Sequence, residues 1–265
     1  MKLAVINTSN KEIKKIDLPI QFNEEIRPDL IKRDFLAIAS NKRQPYGASP
    51  EAGKRASAKL SRRRRDFKGS YGIGISRAPR KILSGKGSRW NWVGAFAPGT
   101  VGGRKAHPPK AEKIWQIKIN KKEKKKSIRS ALSAVMDKEI VKKRGHIIPE
   151  NYPFIISNEF EQIKKTKDLK KILENIGFED ELKRGKKKKN RSGKGKIRGR
   201  RYKRKKSLLL VVGNECSLLR SGKNIPGVDV VIANDVNTEL LAPGAYIGRA
   251  TLFSENAIEK IKELK

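Results

Sequence analysis

"SLLLVVGN", residues Ser207–Asn214, runs five aliphatic side chains together and then stops at a glycine and an asparagine. A half-buried strand alternates apolar and polar residues; a strand buried on both faces does not, so this run predicts an interior strand of a parallel sheet. "PFIISN" (Pro153–Asn158) and "VDVVIAN" (Val228–Asn234) repeat the pattern, and "KLAVIN" (Lys2–Asn7) reads as a first strand. Asn158, Asn214 and Asn234 follow as polar capping residues.

Helical periodicity fills the intervals. "RPDLIKRDFLAIASNK" brings Leu30, Ile31, Phe35 and Ile38 onto one face, with Asp29 in the first turn after Pro28. "SIRSALSAVMDKEIVKKRG" does the same with Ile128, Leu132, Val135, Met136 and Ile140, and stops at Gly145. Further helices are expected from about Asp168 to Ile176 and from Ser254 to Leu264, where "SENA" resembles a capping box with its Glu one residue short. Strands alternating with helices predict an α/β body, a doubly wound-like parallel sheet with helices on both faces.

The charge is not spread over that body. The chain has 265 residues, 64 Lys+Arg against 27 Asp+Glu and a formal charge of +37. Residues 41–113 carry 19 Lys+Arg and 3 acids, and residues 183–206 carry 16 Lys+Arg and no acid. The remainder keeps a charge typical of ordinary domains. Cations at such density repel one another across a Debye length of about 8 Å, so a polyanionic partner is expected. No run approaches the ~18 apolar residues of a spanning helix, and the start "MKLAVINTSN" lacks the features of a secretory leader, so a membrane is not expected as that partner.

The first basic segment also holds 11 of the 22 glycines and 6 of the 12 prolines, without sustained periodicity. Such a composition cannot offset its ordering entropy by burial, whereas charge-assisted hydrogen bonds to phosphates can. A solvated linker accounts for the glycine and lysine. It does not account for Tyr46, Phe67, Tyr71, Trp90, Trp92 and Phe96, because aromatic faces and Arg planes in this setting stack on unpaired bases. The spacing of "WNW" puts both rings on one side of an extended chain, which serves RNA stacking and packing into a small protein cluster equally.

Enzymatic signatures fail on inspection. "GIGISR" has Arg77 where the dinucleotide fingerprint needs its third glycine, "GTVGGRKA" lacks the P-loop order, and Glu215 after the Ser207–Asn214 strand opposes a phosphate. One cysteine, Cys216, and two histidines, His107 and His146, make no disulfide, zinc cluster or catalytic pair. No enzyme activity, cofactor or metal is expected.

Several runs together then carry a resemblance: "GGRKAHPPKAEK" (Gly102–Lys113), "IRSALSA" (Ile128–Ala134), "KRGH" (Lys143–His146), "GKGKIRGRRYKRKKSLLLVV" (Gly193–Val212), "NDVNTELLAPG" (Asn234–Gly244) and "TLFSENAI" (Thr251–Ile258). In this order they resemble the family of the fourth protein of the large ribosomal subunit, in its archaeal and eukaryotic-cytosolic form. The resemblance implies a cytoplasmic, ribosome-bound structural protein: a globular α/β body over residues 1–44 and 111–265, with a basic insertion near 183–206, and an extended loop over 45–110. It further implies contacts with large-subunit rRNA, neighbouring ribosomal proteins and, near a loop tip between about Arg77 and Phe96, the nascent peptide in the exit tunnel. Candidate rRNA contacts in the loop are Arg62, Arg63, Arg64, Arg65, Arg77, Arg80, Lys81, Arg89, Trp90, Trp92, Arg104, Lys105 and His107. In the second basic segment they are Lys194, Lys196, Arg198, Arg200, Arg201, Tyr202, Lys203 and Arg204. Arginine suits buried phosphates because its fork is bidentate and weakly hydrated. The competing reading is a general nucleic-acid packaging protein of chromatin-like type, from which the interior, doubly tethered basic segments distinguish this chain.

Overall fold

Strands β1 (Lys2–Ile6) and β2 (Glu12–Asp17) open the chain as an antiparallel hairpin. The Asn7 carboxamide closes its turn by accepting from the backbone N–H groups of Ser9 and Lys11, both at 2.9 Å. The computed structural model describes residues 1–66, 69–81 and 93–263, and the chain divides into two compact units, residues 1–42 with 116–265 and residues 43–115.

The first unit continues with helix α1 (Pro28–Asn41). The second unit contributes two short strands, β3 (Ala58–Lys59) and β4 (Arg80–Lys81). Helices α2 (Lys121–Met136) and α3 (Lys138–Lys143) then lead to β5 (Ile155–Ile156), α4 (Thr166–Leu173) and α5 (Glu179–Lys186). A hairpin of β6 (Lys188–Asn190) and β7 (Tyr202–Arg204) precedes β8 (Leu209–Val212), α6 (Leu218–Lys223) and β9 (Asp229–Ile232). Helix α7 (Thr238–Leu241), β10 (Thr251–Ser254) and α8 (Glu255–Glu263) complete it.

Six strands form the main sheet in the order β2-β1-β5-β10-β8-β9, with every pairing parallel except β1–β2. Strand β8 shows why. Its alternate residues Leu210 and Val212 pack with Phe160, Leu169 and Leu218, while Leu209 and Val211 pack with Ile31, Val135 and Ile258 on the opposite face. All four are fully buried, at about 1.5–3 kcal/mol each for a side chain of this size. The structure thus has a mixed α/β body around a mostly parallel sheet with an apolar cluster on either side.

Three sequence expectations change in detail. Strand β2 is invisible to an apolar-run criterion because it is an edge strand, with Lys14 and Lys15 exposed, a composition that discourages further pairing. The helix expected over 127–145 starts earlier, at Lys121, and is broken at Asp137, whose backbone leaves helical dihedrals and whose carboxylate accepts from the N–H groups of Glu139 (2.8 Å) and Ile140 (3.3 Å). An aspartate inside an apolar pattern is therefore the cap of a second helix. The helix expected over 168–176 ends regularly at Leu173 and passes through Gly177, at φ +101° beside Pro149, into α5. At α8 the cap is Ser254, whose Oγ accepts from the Ala257 N–H at 3.1 Å.

In the second unit β3 and β4 pair antiparallel, Ala58 opposite Lys81, and the segment from Val93 to Ala95 returns alongside through Lys81 N–H to Val93 O (2.9 Å) and Ala95 N–H to Pro79 O (2.8 Å). Near its ends two legs of chain run side by side, tied by the Ala48 N–H to Pro109 O bond of 2.9 Å. Gly53 sits at φ +75°, and a Cβ there would lie 2.4 Å from the Gly103 and Arg104 backbone, so only glycine fits.

Candidate nucleic-acid interface

Hairpin β6–β7 places like charges opposite one another: Lys188 faces Arg204, Lys189 faces Lys203, and Asn190 faces Tyr202. Cations directly across a strand pair destabilise it. Neither strand has an aliphatic residue, Tyr202 is the one aromatic between them, and all six paired residues are exposed. The turn beyond is locally closed by Arg191 N–H to Arg201 O (2.8 Å), the Arg191 guanidinium to Arg200 O (3.1 Å) and Arg200 N–H to Gly195 O (3.0 Å). Lys194, Lys196, Arg198, Arg200, Arg201, Tyr202, Lys203 and Arg204 all point cationic or aromatic groups into solvent around this turn. Lys188 and Arg201 lie 5.3 and 5.6 Å from the Tyr202 ring centroid.

The base of the hairpin is held by a buried ionic cluster. Glu181 accepts from Arg184 Nε (2.7 Å), the Ile147 N–H (3.0 Å), Ser207 Oγ (2.9 Å) and His146 Nδ1 (2.8 Å), and Arg184 also reaches the Lys206 carbonyl (2.8 Å). Burial works against ionisation of Glu181, but the hydrogen bonds from Arg184, His146 and Ile147 outweigh it and hold the carboxyl at about 2. Burial pushes His146 below its ordinary 6.5, the Glu181 contact only partly opposing that. His146 Nδ1 thus lies between the Glu181 carboxylate at 2.8 Å and the Arg184 guanidinium at 3.0 Å. Beneath lies Arg249, fully buried, donating to the carbonyls of Ser207 (2.8 Å), Leu208 (3.1 Å) and Leu240 (3.0 Å) and to Asp229 (2.6 Å). Lys206 pairs with the same Asp229 at 2.8 Å.

Arg184 on one side of the hairpin and Lys206 on the other thus meet acids. Among the described residues no ion pair involves the chain from 187 to 205. The same holds for Arg62–Arg65, Arg77, Arg104 and Lys105 in the second unit, of which all but Arg104 are exposed. Three of them have rings as neighbours. Arg64 and Arg77 lie 5.9 and 5.0 Å from the Tyr71 centroid, and Arg104 lies 5.9 Å from that of Phe96. Arg80 donates to the Ser76 carbonyl (3.0 Å) and hydroxyl (3.1 Å), leaving it and Lys81 half-buried, and His107 is exposed. Phe67, Arg89, Trp90 and Trp92 lie outside the described residues.

Sequence inspection missed one cluster. Trp115 stacks on Tyr46 with centroids 5.7 Å apart and planes at 18°, while Arg43 and Lys113 lie 3.7 and 4.3 Å from its ring centroid. The criterion that selected Trp90 and Trp92, a ring among cations, applies to Trp115 too; its position beyond the glycine-rich stretch hid it.

In a parallel α/β sheet a phosphate is expected beyond the carboxyl ends of the strands. Here Glu161 occupies that place: its carboxylate takes the Gly213 N–H (2.9 Å) after β8, Ser254 Oγ (2.7 Å) at the end of β10 and the Asn256 amide (3.2 Å). A buried acid fills the donors an anionic cofactor needs.

The profile of the family described as "Ribosomal protein L4/L1 family" matches residues 16–264 of this chain. A relative called large ribosomal subunit protein uL4, from Nanoarchaeum equitans, is 49% identical over 267 residues, covering 100% of this chain and 99% of its own. Proteins of the same name from Methanocaldococcus jannaschii and Archaeoglobus fulgidus are 44% and 42% identical, each over 99% of both chains.

Proposed function

The chain belongs to the ribosomal protein L4/L1 family, and from that premise we propose that it binds large-subunit rRNA through two basic segments, hairpin 187–205 and the insertion over about 45–110. It is a structural, non-enzymatic constituent of the large subunit and works in the cytoplasm as part of the ribosome. The observation that carries the RNA reading is the uncompensated repulsion in the hairpin, where Lys188 faces Arg204 and Lys189 faces Lys203 without an acid nearby. Charges built against one another are stabilised when an external polyanion fills the space between them.

Phosphate contacts from Arg62–Arg65, Arg77, Arg104, Arg198, Arg200, Arg201 and Arg204 set position without reading sequence, and fit to folded RNA supplies specificity. In the family resemblance, the tip of the insertion reaches the nascent-peptide exit tunnel beside a neighbouring ribosomal protein; Trp90 and Trp92 then contact RNA or the tunnel wall. Chemical probing of rRNA in ribosomes carrying W90A/W92A tests this, and protections identical to wild type would remove those rings from the interface.

The general test is the salt dependence of affinity for an rRNA fragment. Every phosphate that the protein neutralises adds about 0.7–0.9 to the slope of log K against log salt. Changing Arg198, Arg200, Arg201 and Arg204 to Gln is expected to reduce the slope by about 3 on that scale, while equal or tighter binding to duplex DNA would favour the packaging reading.

A further inference from the structure

The cluster around Trp115 is not accounted for by phosphate binding. We infer that the groove lined by Tyr46, Trp115, His107, Pro108 and Pro109 is a stacking site for an unpaired nucleobase of single-stranded RNA. The inference rests on the RNA-binding reading above and adds to it a base-binding subsite.

The walls of the groove come from two legs of the second unit. Tyr46 comes from one leg, and His107, Pro108, Pro109, Lys113 and Trp115, with the acid Glu112 among them, come from the other. Their spacing is fixed by the backbone: Ala48 N–H donates to Pro109 O at 2.9 Å, and a Cβ on Gly47 would lie 2.6 Å from the Ala111 nitrogen, so the legs touch directly. Tyr46 has one face on Trp115 yet stays 52% exposed. A stack built only to close the neck would cover both rings. Instead an open aromatic surface is already formed before any ligand arrives, which lowers the ordering entropy lost on binding.

Charge narrows the ligand. Arg43 and Lys113 are held against Trp115, at 3.7 and 4.3 Å from its centroid, which sets a guanidinium and an ammonium beside the rings. Planar faces next to cations suit a planar ring carrying a phosphate, and every nucleobase has such a face. An acidic peptide would use the cations and leave the Tyr46 face exposed.

The test uses the full chain and an rRNA fragment it binds, with affinity measured across salt concentrations for wild type, Tyr46→Ala and Tyr46→Phe. Base stacking is sequence-tolerant and uncharged, so Tyr46→Ala is expected to weaken binding about 5- to 100-fold at every salt concentration with an unchanged slope. Tyr46→Phe keeps the ring and is expected within about twofold of wild type by the same argument. Wild-type affinity in Tyr46→Ala, or an equal loss in both variants, overturns the subsite. Zero-length ultraviolet crosslinking of the wild-type complex decides independently of any folding defect: base adducts on Tyr46 or Trp115 support the proposal, and adducts confined to other basic segments reject it. Failure of the underlying RNA reading looks different, since wild-type binding itself would then not fall with salt.

Discussion

Lys206 and Arg204 are two residues apart and of like charge, yet their surroundings differ. Lys206 reaches Asp229 at 2.8 Å, in a cluster where Arg249, Arg184 and His146 all have acidic partners; Arg204 faces Lys188 across the hairpin. In that cluster, positive charge is an internal fastening, and removing Arg184 leaves the buried Glu181 carboxylate without its charged partner. In the hairpin it is a standing repulsion that an outside anion relieves. The same residue type therefore stabilises the fold in one place and weakens it in the other, and net charge alone does not separate the two.

The sharpest way to break this contrast is to put one charge into each region. Leu210→Asp, in a strand buried on both faces, is expected to cost more than about 4–5 kcal/mol and abolish cooperative unfolding, whereas Ile197→Asp at the exposed hairpin turn should change stability by less than about 0.5 kcal/mol. Thermal melts of both variants suffice. Next in size is Glu181→Gln, which leaves Arg184 without its buried partner, at a cost of about 3 kcal/mol; a denaturation midpoint unchanged from wild type would mean the cluster does not fasten the hairpin base.

Acid provides a graded version. His146 has its folded value pushed below 6.5, so the unfolded chain takes up that proton first and stability falls as pH drops below about 6.5. Glu181, lowered from 4.5 to about 2, contributes stability above 4.5 that is lost as pH falls toward 2. Both act in one direction. Urea midpoints between pH 8 and 4 should decline, and His146→Asn should flatten the first part of the decline. The smallest effect has the opposite sign: Lys189→Thr removes one like-charge pair and should stabilise the free chain by a few tenths of a kcal/mol, while lowering the salt slope of RNA binding.

What could be read beforehand follows this same division. Ser207–Asn214 announced its strand because burial on both faces leaves an unbroken aliphatic run. Strand β2 did not, since an edge strand of lysines lacks that signature, and neither β6 nor β7 did, because a strand that buries nothing has no apolar period. The apolar period runs through Asp137 without a break, and only backbone geometry shows this residue capping a second helix. The basic segments were legible from charge density. Which of their cations find acids was not, because Glu181 and Asp229 lie outside the basic run in one case and on a different strand in the other.

Strand β10, the last of the sheet in chain order, lies at its centre between β5 and β8. On the elongating chain, β1 and β5 on one side and β8 and β9 on the other therefore exist before the strand that joins them. Residues 41–113 and 183–206 are also already made by then, with 35 of the chain's 64 Lys+Arg. Synthesis proceeds at about 5–20 residues per second, so the basic segments are made on the order of seconds before the strand that joins the two halves of the sheet. In that interval the exposure is to capture by the wrong polyanion, because the cations precede the strand that completes the sheet.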